Sequence, residues 1–172
     1  LSFEITVKRY KTTLDLGTVD NSPLPTVITT LPNANGDHVA AANDSVCLID
    51  TIDYEGLTPG KAYAAQGELH FVEIDADGNR KDGGPVTTAS GETVIATTEF
   101  SPKTANGKTE VEFSLDSSSL TGKQVVAFER ITLDNELIAE HSDPSDTDQT
   151  VTFPGISTKL KSEKALTAPD LA

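Results

Sequence analysis

Short segments in which apolar or β-branched residues alternate with polar ones recur along almost the whole chain, and this period-two pattern constrains the fold most strongly. Such alternation is typical of half-buried β-strands. The segments are Phe3–Tyr10, Thr26–Leu31, Ser45–Tyr54, Ala62–Ile74, Thr93–Phe100, Thr109–Leu115, Lys123–Leu133, Leu137–His141 and Thr150–Phe153. Only Ser162–Leu166 has a helix-forming composition.

Turn sequences separate these segments. Asn33–Gly36, Asp77–Gly78 and Asn106–Gly107 offer residues that tolerate positive φ, and Thr58–Gly60 is a tight Pro-Gly turn. Roughly nine short strands with frequent turns predict an all-β fold, an immunoglobulin-like β-sandwich. We expect a lead-in strand and linker over residues 1–24, the sandwich domain over residues 25–154, and a C-terminal linker over residues 155–172.

The charge of the chain excludes several function classes. A formal net charge of −14 argues against nucleic acid, whose binding requires Lys and Arg on phosphates, and against anionic membrane surfaces. No apolar run reaches the roughly 20 residues that span a bilayer, so we expect no membrane insertion. A strongly acidic, Thr- and Ser-rich surface suits an extracellular protein, which we expect to be monomeric. Because neither a signal peptide nor a sorting signal is recognisable, we expect a fragment of the mature protein. Its single cysteine, Cys47, excludes an internal disulfide, so stability must have another source.

Polar residues occupy positions that strand periodicity assigns to the core. Asp50 shares a face with Val46, Leu48, Ile52 and Tyr54, and Glu129 shares one with Val125, Ala127, Ile131 and Leu133. On three further strands the same reasoning turns inward the residues Thr29 (with Val27 and Leu31), His141 (with Leu137 and Ala139) and Gln149 (with Val151 and Phe153). One interpretation is a buried hydrogen-bond network, because buried polar groups are usually paired with one another.

The same five side chains would also support acyl transfer. A threonine hydroxyl needs a base to remove its proton, and a carboxamide carbonyl must be polarised before it is attacked. Two carboxyl groups in one apolar site cannot both ionise, so one stays protonated. Thr29 would be the nucleophile, Gln149 the electrophile and His141 the base. Asp50 and Glu129 would form the acid pair.

Three sequence stretches resemble the Thr–Gln ester-bond domains, or VaFE repeats, of Gram-positive surface adhesins. They are Val126–Glu129, Asp50–Gly60, and His141–Val151 with the pattern His-x-Asp-x-x-Asp-x-x-Gln-Thr; Thr29-Thr30 matches a Thr pair on the first strand. The resemblance covers roughly residues 25–153.

This resemblance implies an intramolecular ester between Thr29 and Gln149, with release of ammonia. Asp50, Glu129 and His141 would promote the reaction, and Asp143 and Asp146 would orient His141 and its loop. Thr30 is the second choice of nucleophile. The chain would then be a structural stalk module of a cell-wall-anchored adhesin, with sister domains in tandem and a host ligand bound by another domain. It would react once, autocatalytically, without cofactor or metal, and would not be a turnover enzyme.

The main alternative is a ligand-binding adhesin module of the same fold without covalent chemistry, stabilised by calcium. The Asp-rich segments 141–149 and Asp75–Asn79 are the candidate calcium loops, although Asp75–Asn79 lacks a downstream bidentate Glu and favours a hairpin turn. His38 and His70 have no zinc-ligand spacing and are predicted to be ordinary surface residues. Cys47 lies on the strand face opposite Asp50 and is predicted to be a packed thiol.

Overall fold

The computed structural model describes residues 24–157, which form two antiparallel β-sheets packed face to face as an immunoglobulin-like β-sandwich. The predicted strand Phe3–Tyr10 and the helix-forming segment Ser162–Leu166 lie outside these residues. The strands are β1 (Thr26–Thr30), β2 (Val46–Glu55), β3 (Tyr63–Ile74), β4 (Arg80–Pro85), β5 (Ile95–Phe100), β6 (Gly107–Leu115), β7 (Lys123–Leu133), β8 (Glu136–His141) and β9 (Thr150–Phe153). One 3-10 turn, Ser118–Leu120, precedes β7. No helix in this part of the chain is long and apolar enough to cross a membrane.

The smaller sheet has the strand order β1-β2-β6. The larger sheet is built on the long strands β3 and β7, which pair from Tyr63↔Leu133 to Phe71↔Val125. Along its other edge, β3 pairs first with β5 and then with β4, while β7 pairs with β9 and then with β8. Each of the two long strands therefore pairs with two short strands along its outer edge, and the named strands of the described residues pair with one another in antiparallel fashion.

The core lies between the sheets, where the predicted alternation of buried and exposed residues is clearest in the long strands. Every second residue of β2, from Val46 to Tyr54, is buried. In β7 the inward residues Val125, Ala127 and Ile131 are completely buried. Any polar side chain on the inward face of β2 or β7 is therefore surrounded by apolar core residues.

Turn chemistry sets the register of two hairpins. Asp134 and Asn135 both have positive φ, 52° and 68°, as a two-residue β7–β8 turn requires. Between β3 and β4, the Asp75 carboxylate accepts hydrogen bonds from the backbone N–H groups of Asp77 and Asn79, at 2.9 and 2.8 Å. The segment Asp75–Asn79 is therefore the hairpin turn that the sequence favours.

Two local expectations are wrong, and one strand was not predicted. The unpredicted strand is Arg80–Pro85, whose composition is poor in strand-forming residues. Leu137 is 55% exposed and does not share the inward face of His141, because the β7–β8 register shifts between Ile131 and Thr132. The Asn106–Gly107 pair has no positive φ in the structure. Instead, a Cβ atom at Gly107 would lie 2.6 Å from the Tyr54 hydroxyl oxygen, so the Tyr54 side chain occupies the space that glycine leaves open.

Candidate functional site

Two carboxyl groups from opposite sheets lie inside the core. Asp50 is at the middle of β2 and Glu129 is near the middle of β7, with exposed fractions of 0% and 2%. Each occupies a place where its strand otherwise presents an apolar residue. Facing sheets therefore bring the two acids together in an environment that disfavours charge.

A hydroxyl and a carboxamide complete this group. Thr29, near the end of β1, is 1% exposed, and Gln149, immediately before β9, is 0% exposed. The Thr29 hydroxyl donates a hydrogen bond to Glu129 Oε2 at 3.1 Å, and Gln149 Nε2 donates one to Asp50 Oδ1 at 3.5 Å. We call Thr29, Asp50, Glu129 and Gln149 the buried quartet. By contrast, Thr30 is exposed.

The quartet contains three buried oxygen atoms without a hydrogen-bonding partner: Asp50 Oδ2, Glu129 Oε1 and Gln149 Oε1. All three are acceptors, so a proton bound to one acid would supply a donor to this group. Burial, together with the neighbouring Asp50 carboxylate, raises the pKa of Glu129 to about 10. Burial also raises the pKa of Asp50, to about 6. At neutral pH the pair therefore holds one proton, located on Glu129, and one negative charge.

The aromatic ring of Phe113 packs against the backbone of β3 and helps to exclude water from the acids. Gly67 on β3 pairs directly with Glu129 on β7. A Cβ atom at Gly67 would come within 2.5 Å of the Phe113 ring. The ring thus occupies the space of the missing side chain, next to the base of Glu129. A glycine in the middle of a strand is the sequence signal that could have predicted this contact.

His141 lies beside the quartet, at the end of β8. It pairs with Glu129 across the strands, and its Nε2 atom is 3.0 Å from Asp146 Oδ2. The Thr29 hydroxyl, for which the sequence suggested His141 as base, is instead bonded to Glu129. The proximity of His141 lowers the Asp50 pKa electrostatically, although burial outweighs this effect.

The loop between β8 and β9 is organised by its aspartates. The Asp143 carboxylate accepts the Ser145 N–H at 2.8 Å, while Asp146 Oδ1 accepts the Asp148 N–H at 2.9 Å. Asp146 therefore both contacts His141 and shapes the loop, whereas the Asp143 carboxylate, within residues 24–157, forms a hydrogen bond only inside the loop.

Backbone hydrogen bonds fix Gln149 between the two sheets. The Asp148 carbonyl accepts the Leu31 N–H at 2.9 Å, just beyond β1. The Gln149 carbonyl accepts the Ala127 N–H of β7 at 3.2 Å. The carboxamide therefore enters the core close to the strand that carries Thr29 and the strand that carries Glu129.

The other candidate residues lie elsewhere. The prediction that His70 is an ordinary surface residue is wrong, because its side chain is only 14% exposed and its ring lies tilted against Phe128, with ring centroids 4.3 Å apart. The ring also lies between Asp82 at 2.8 Å and Glu68 at 3.3 Å. His38 is half-buried, with Nδ1 3.2 Å from the Thr150 carbonyl. Cys47 lies half-buried on the outer face of β2, and burial raises the pKa of its thiol.

No group of three or more His, Cys, Asp and Glu side chains within residues 24–157 is arranged to hold a metal ion. In the Asp75–Asn79 hairpin, both carboxylate oxygens of Asp75 accept hydrogen bonds from the turn itself. Backbone hydrogen bonds likewise engage carboxylate oxygens of Asp143 and Asp146. The buried quartet, by contrast, brings together a hydroxyl, a carboxamide and two acids.

The fold and the quartet define an immunoglobulin-like module whose core encloses a hydroxyl, a carboxamide and an acid pair. The family model described as "T-Q ester bond containing domain" matches residues 25–153, and the chain belongs to that family.

Solved structures agree with the fold. A bacterial adhesin from Mobiluncus mulieris, containing intramolecular disulfide, isopeptide and ester bond cross-links, superposes with a TM-score of 0.58 at 16% identity, covering 77% of this chain. A second crystal form of that adhesin gives a TM-score of 0.55 at 17% identity, covering 75% of this chain. The chain spans 58% and 56% of those two adhesin chains, respectively. Comparison with curated protein sequences gives no match.

Proposed function

We propose that the chain is a structural stalk module of a cell-surface adhesin, which forms an ester between Thr29 and Gln149 in a single autocatalytic reaction. The observation that carries this proposal is the buried quartet, with the Thr29 hydroxyl 3.1 Å from Glu129 Oε2 and the Gln149 carboxamide next to Asp50. Membership of the ester-bond family supports the same chemistry.

The acid pair can carry the proton from the hydroxyl to the leaving nitrogen. Thr29 Oγ1 attacks the Gln149 carbonyl carbon as its proton passes to Glu129 Oε2. Glu129 gives up its own proton to Asp50, and Asp50 protonates Nε2 of the tetrahedral intermediate. The C–N bond then breaks, an ester C–O bond remains, and the nitrogen leaves as ammonia. Atoms and charge balance without water, cofactor or metal.

The surroundings of the quartet suit this reaction. The raised pKa of Glu129 supplies a proton at neutral pH, and His141, held by Asp146, lies near the Asp50 charge. The unpartnered Gln149 Oε1 can accept a hydrogen bond as negative charge develops on it. Complete burial protects the product from hydrolysis. Asp50 and Glu129 are the groups we expect to be essential, with His141 and Asp146 in support.

An ester of this kind would let a tandem array bear load. The link would join the first strand of the domain to the last, so that force passing along the polypeptide would bypass most of the sandwich. We propose that sister modules adjoin this one in an extracellular, cell-wall-anchored protein, and that another domain binds the host ligand. All lysines within residues 24–157 are exposed, so an isopeptide link has no buried lysine to use in this region.

The test is the intact mass of the purified protein. Loss of ammonia predicts a mass about 17 Da below the sequence value. Trypsin should then release a covalent pair of the peptides 12–61 and 131–159, which contain Thr29 and Gln149. Mild alkali should separate the pair, as it would an ester and would not an amide. A full sequence mass with two separate peptides would favour the alternative, a ligand-binding module without covalent chemistry.

A further inference from the structure

Arg80 connects the edge of the larger sheet to the loop that carries Gln149. It lies at the start of β4 and is half-buried. Its Nε atom donates to the Pro144 carbonyl at 3.0 Å and its Nη1 atom to Gln124 Oε1 at 3.1 Å, while Nη2 donates to the Thr150 hydroxyl oxygen. One guanidinium thus contacts both ends of the segment 144–150 and strand β7 beneath it.

Through Thr150, this contact bears on both Gln149 and Asp146, the partner of His141. Thr150 directly follows Gln149 in the chain. Its hydroxyl donates to the Asp146 carbonyl at 2.7 Å, and the Asp146 carboxylate contacts His141. A displacement of Thr150 would therefore move the carboxamide and the partner of His141 together.

Strand β4 and the turn before it set the position of Arg80. The β4 segment contains Asp, two Gly and Pro, which are poor strand formers. It is nevertheless held against β3, with Arg80 paired to Ile74 immediately after the hairpin turn at Asp75–Asn79. This turn fixes the backbone position of Arg80, so that its side chain extends toward the β8–β9 loop.

We propose that Arg80 is a positioning residue for ester formation, and this inference rests on the proposed function. Two hydrogen bonds from its planar guanidinium hold the segment 144–150 in the geometry that presents Gln149 to Thr29, and a third anchors the guanidinium to Gln124 on β7. Lysine could form only part of this set, because its ammonium is a point donor without the fork geometry. Displacement of reacting groups by about 1 Å costs up to about 100-fold in rate, so losing the clamp should slow the reaction.

The experiment measures the rate of ammonia loss. Cell-free synthesis at low temperature yields newly folded chains, and acid quenching at intervals followed by intact-mass measurement gives the rate for each variant. We expect Arg80→Ala to react 10- to 100-fold more slowly than the wild type. Arg80→Lys should recover part of the rate. The matched control is Lys81→Ala, which removes the same charge from β4 but only an exposed ion pair with Glu73.

A second measurement separates positioning from general stability. In a Thr29→Val background, which cannot react, Arg80→Ala should stay folded at the assay temperature by circular dichroism. If Arg80→Ala unfolds, the rates of ammonia loss in Arg80→Lys and Gln124→Ala provide the test instead. We expect each of these two variants to lose ammonia at least twofold more slowly than the wild type. A wild-type rate in these variants, or equal slowing by Lys81→Ala, would overturn the role of Arg80. A wild-type chain that never loses ammonia would instead refute the proposed function.

Discussion

Removing the Thr29 hydroxyl while keeping the shape of its side chain measures what the ester contributes to stability. Thr29→Val leaves a β-branched residue in β1 but cannot form the link. The ester would close a ring of about 120 residues, which by the loop-entropy relation for disulfides is worth about 5 kcal/mol. For a chain of this size each kcal/mol shifts the melting temperature by about 2–4 °C, so we expect a decrease of roughly 10–20 °C.

Differential scanning calorimetry, with the mass of each sample checked, provides the assay. The matched control is Thr26→Val, an exposed position on the same strand, which should retain the mass loss and melt within about 2 °C of the wild type. A decrease below about 4 °C in Thr29→Val, despite loss of the link, would refute the entropic reasoning. If Thr30→Val abolished the mass loss and Thr29→Val did not, the choice of nucleophile would be wrong.

Three further predictions concern the acid pair. Glu129→Gln and Asp50→Asn should each leave Thr29 and Gln149 unreacted, giving the sequence mass; normal ammonia loss in either variant would remove that acid from the mechanism. In unlinked Thr29→Val, the folded state binds more protons than the unfolded state because burial raises both acid pKa values, so urea denaturation should show stability falling from pH 5 to pH 9. Adding Glu129→Gln should flatten this trend, and a trend unchanged by that substitution would contradict the assignment of the proton to Glu129. Gly67→Ala should destabilise the unlinked domain by about 1–3 kcal/mol in the same assay, because its Cβ would overlap the Phe113 ring; an unchanged midpoint would show that the ring moves freely.

The sequence was sufficient to predict the long strands and the inward polar residues, because both depend on alternation within one strand. The prediction for Lys123–Leu133 matches β7, and buried Asp50 and Glu129 lie on the faces that periodicity gave them. Period-two arguments fail where the period is interrupted. The register shift in β8 turned Leu137 outward, and no local pattern signals it.

Contacts between distant strands explain what the sequence could not predict. β4 forms against its own composition because it is paired with β3 after a well-formed turn, so tertiary context overrides propensity. The sequence analysis assigned His141 as the base for the Thr29 hydroxyl, whereas its hydrogen-bonding partner is Glu129, since periodicity gives a face but not a distance. The surroundings of His70 arise in the same way, from neighbours on β4 and β7.

The enclosure of Gln149 among acids has a consequence for the ageing of the molecule. Because ammonia departs when the ester forms, later entry of water would leave a carboxylic acid at position 149 and would not regenerate the amide. That opened domain would be about 1 Da heavier than the sequence and would hold three carboxyl groups in one small space, where they repel one another when ionised. Because ammonia would be gone, a chain opened in this way would keep a carboxylic acid at position 149 as permanent chemical evidence of its earlier cross-link.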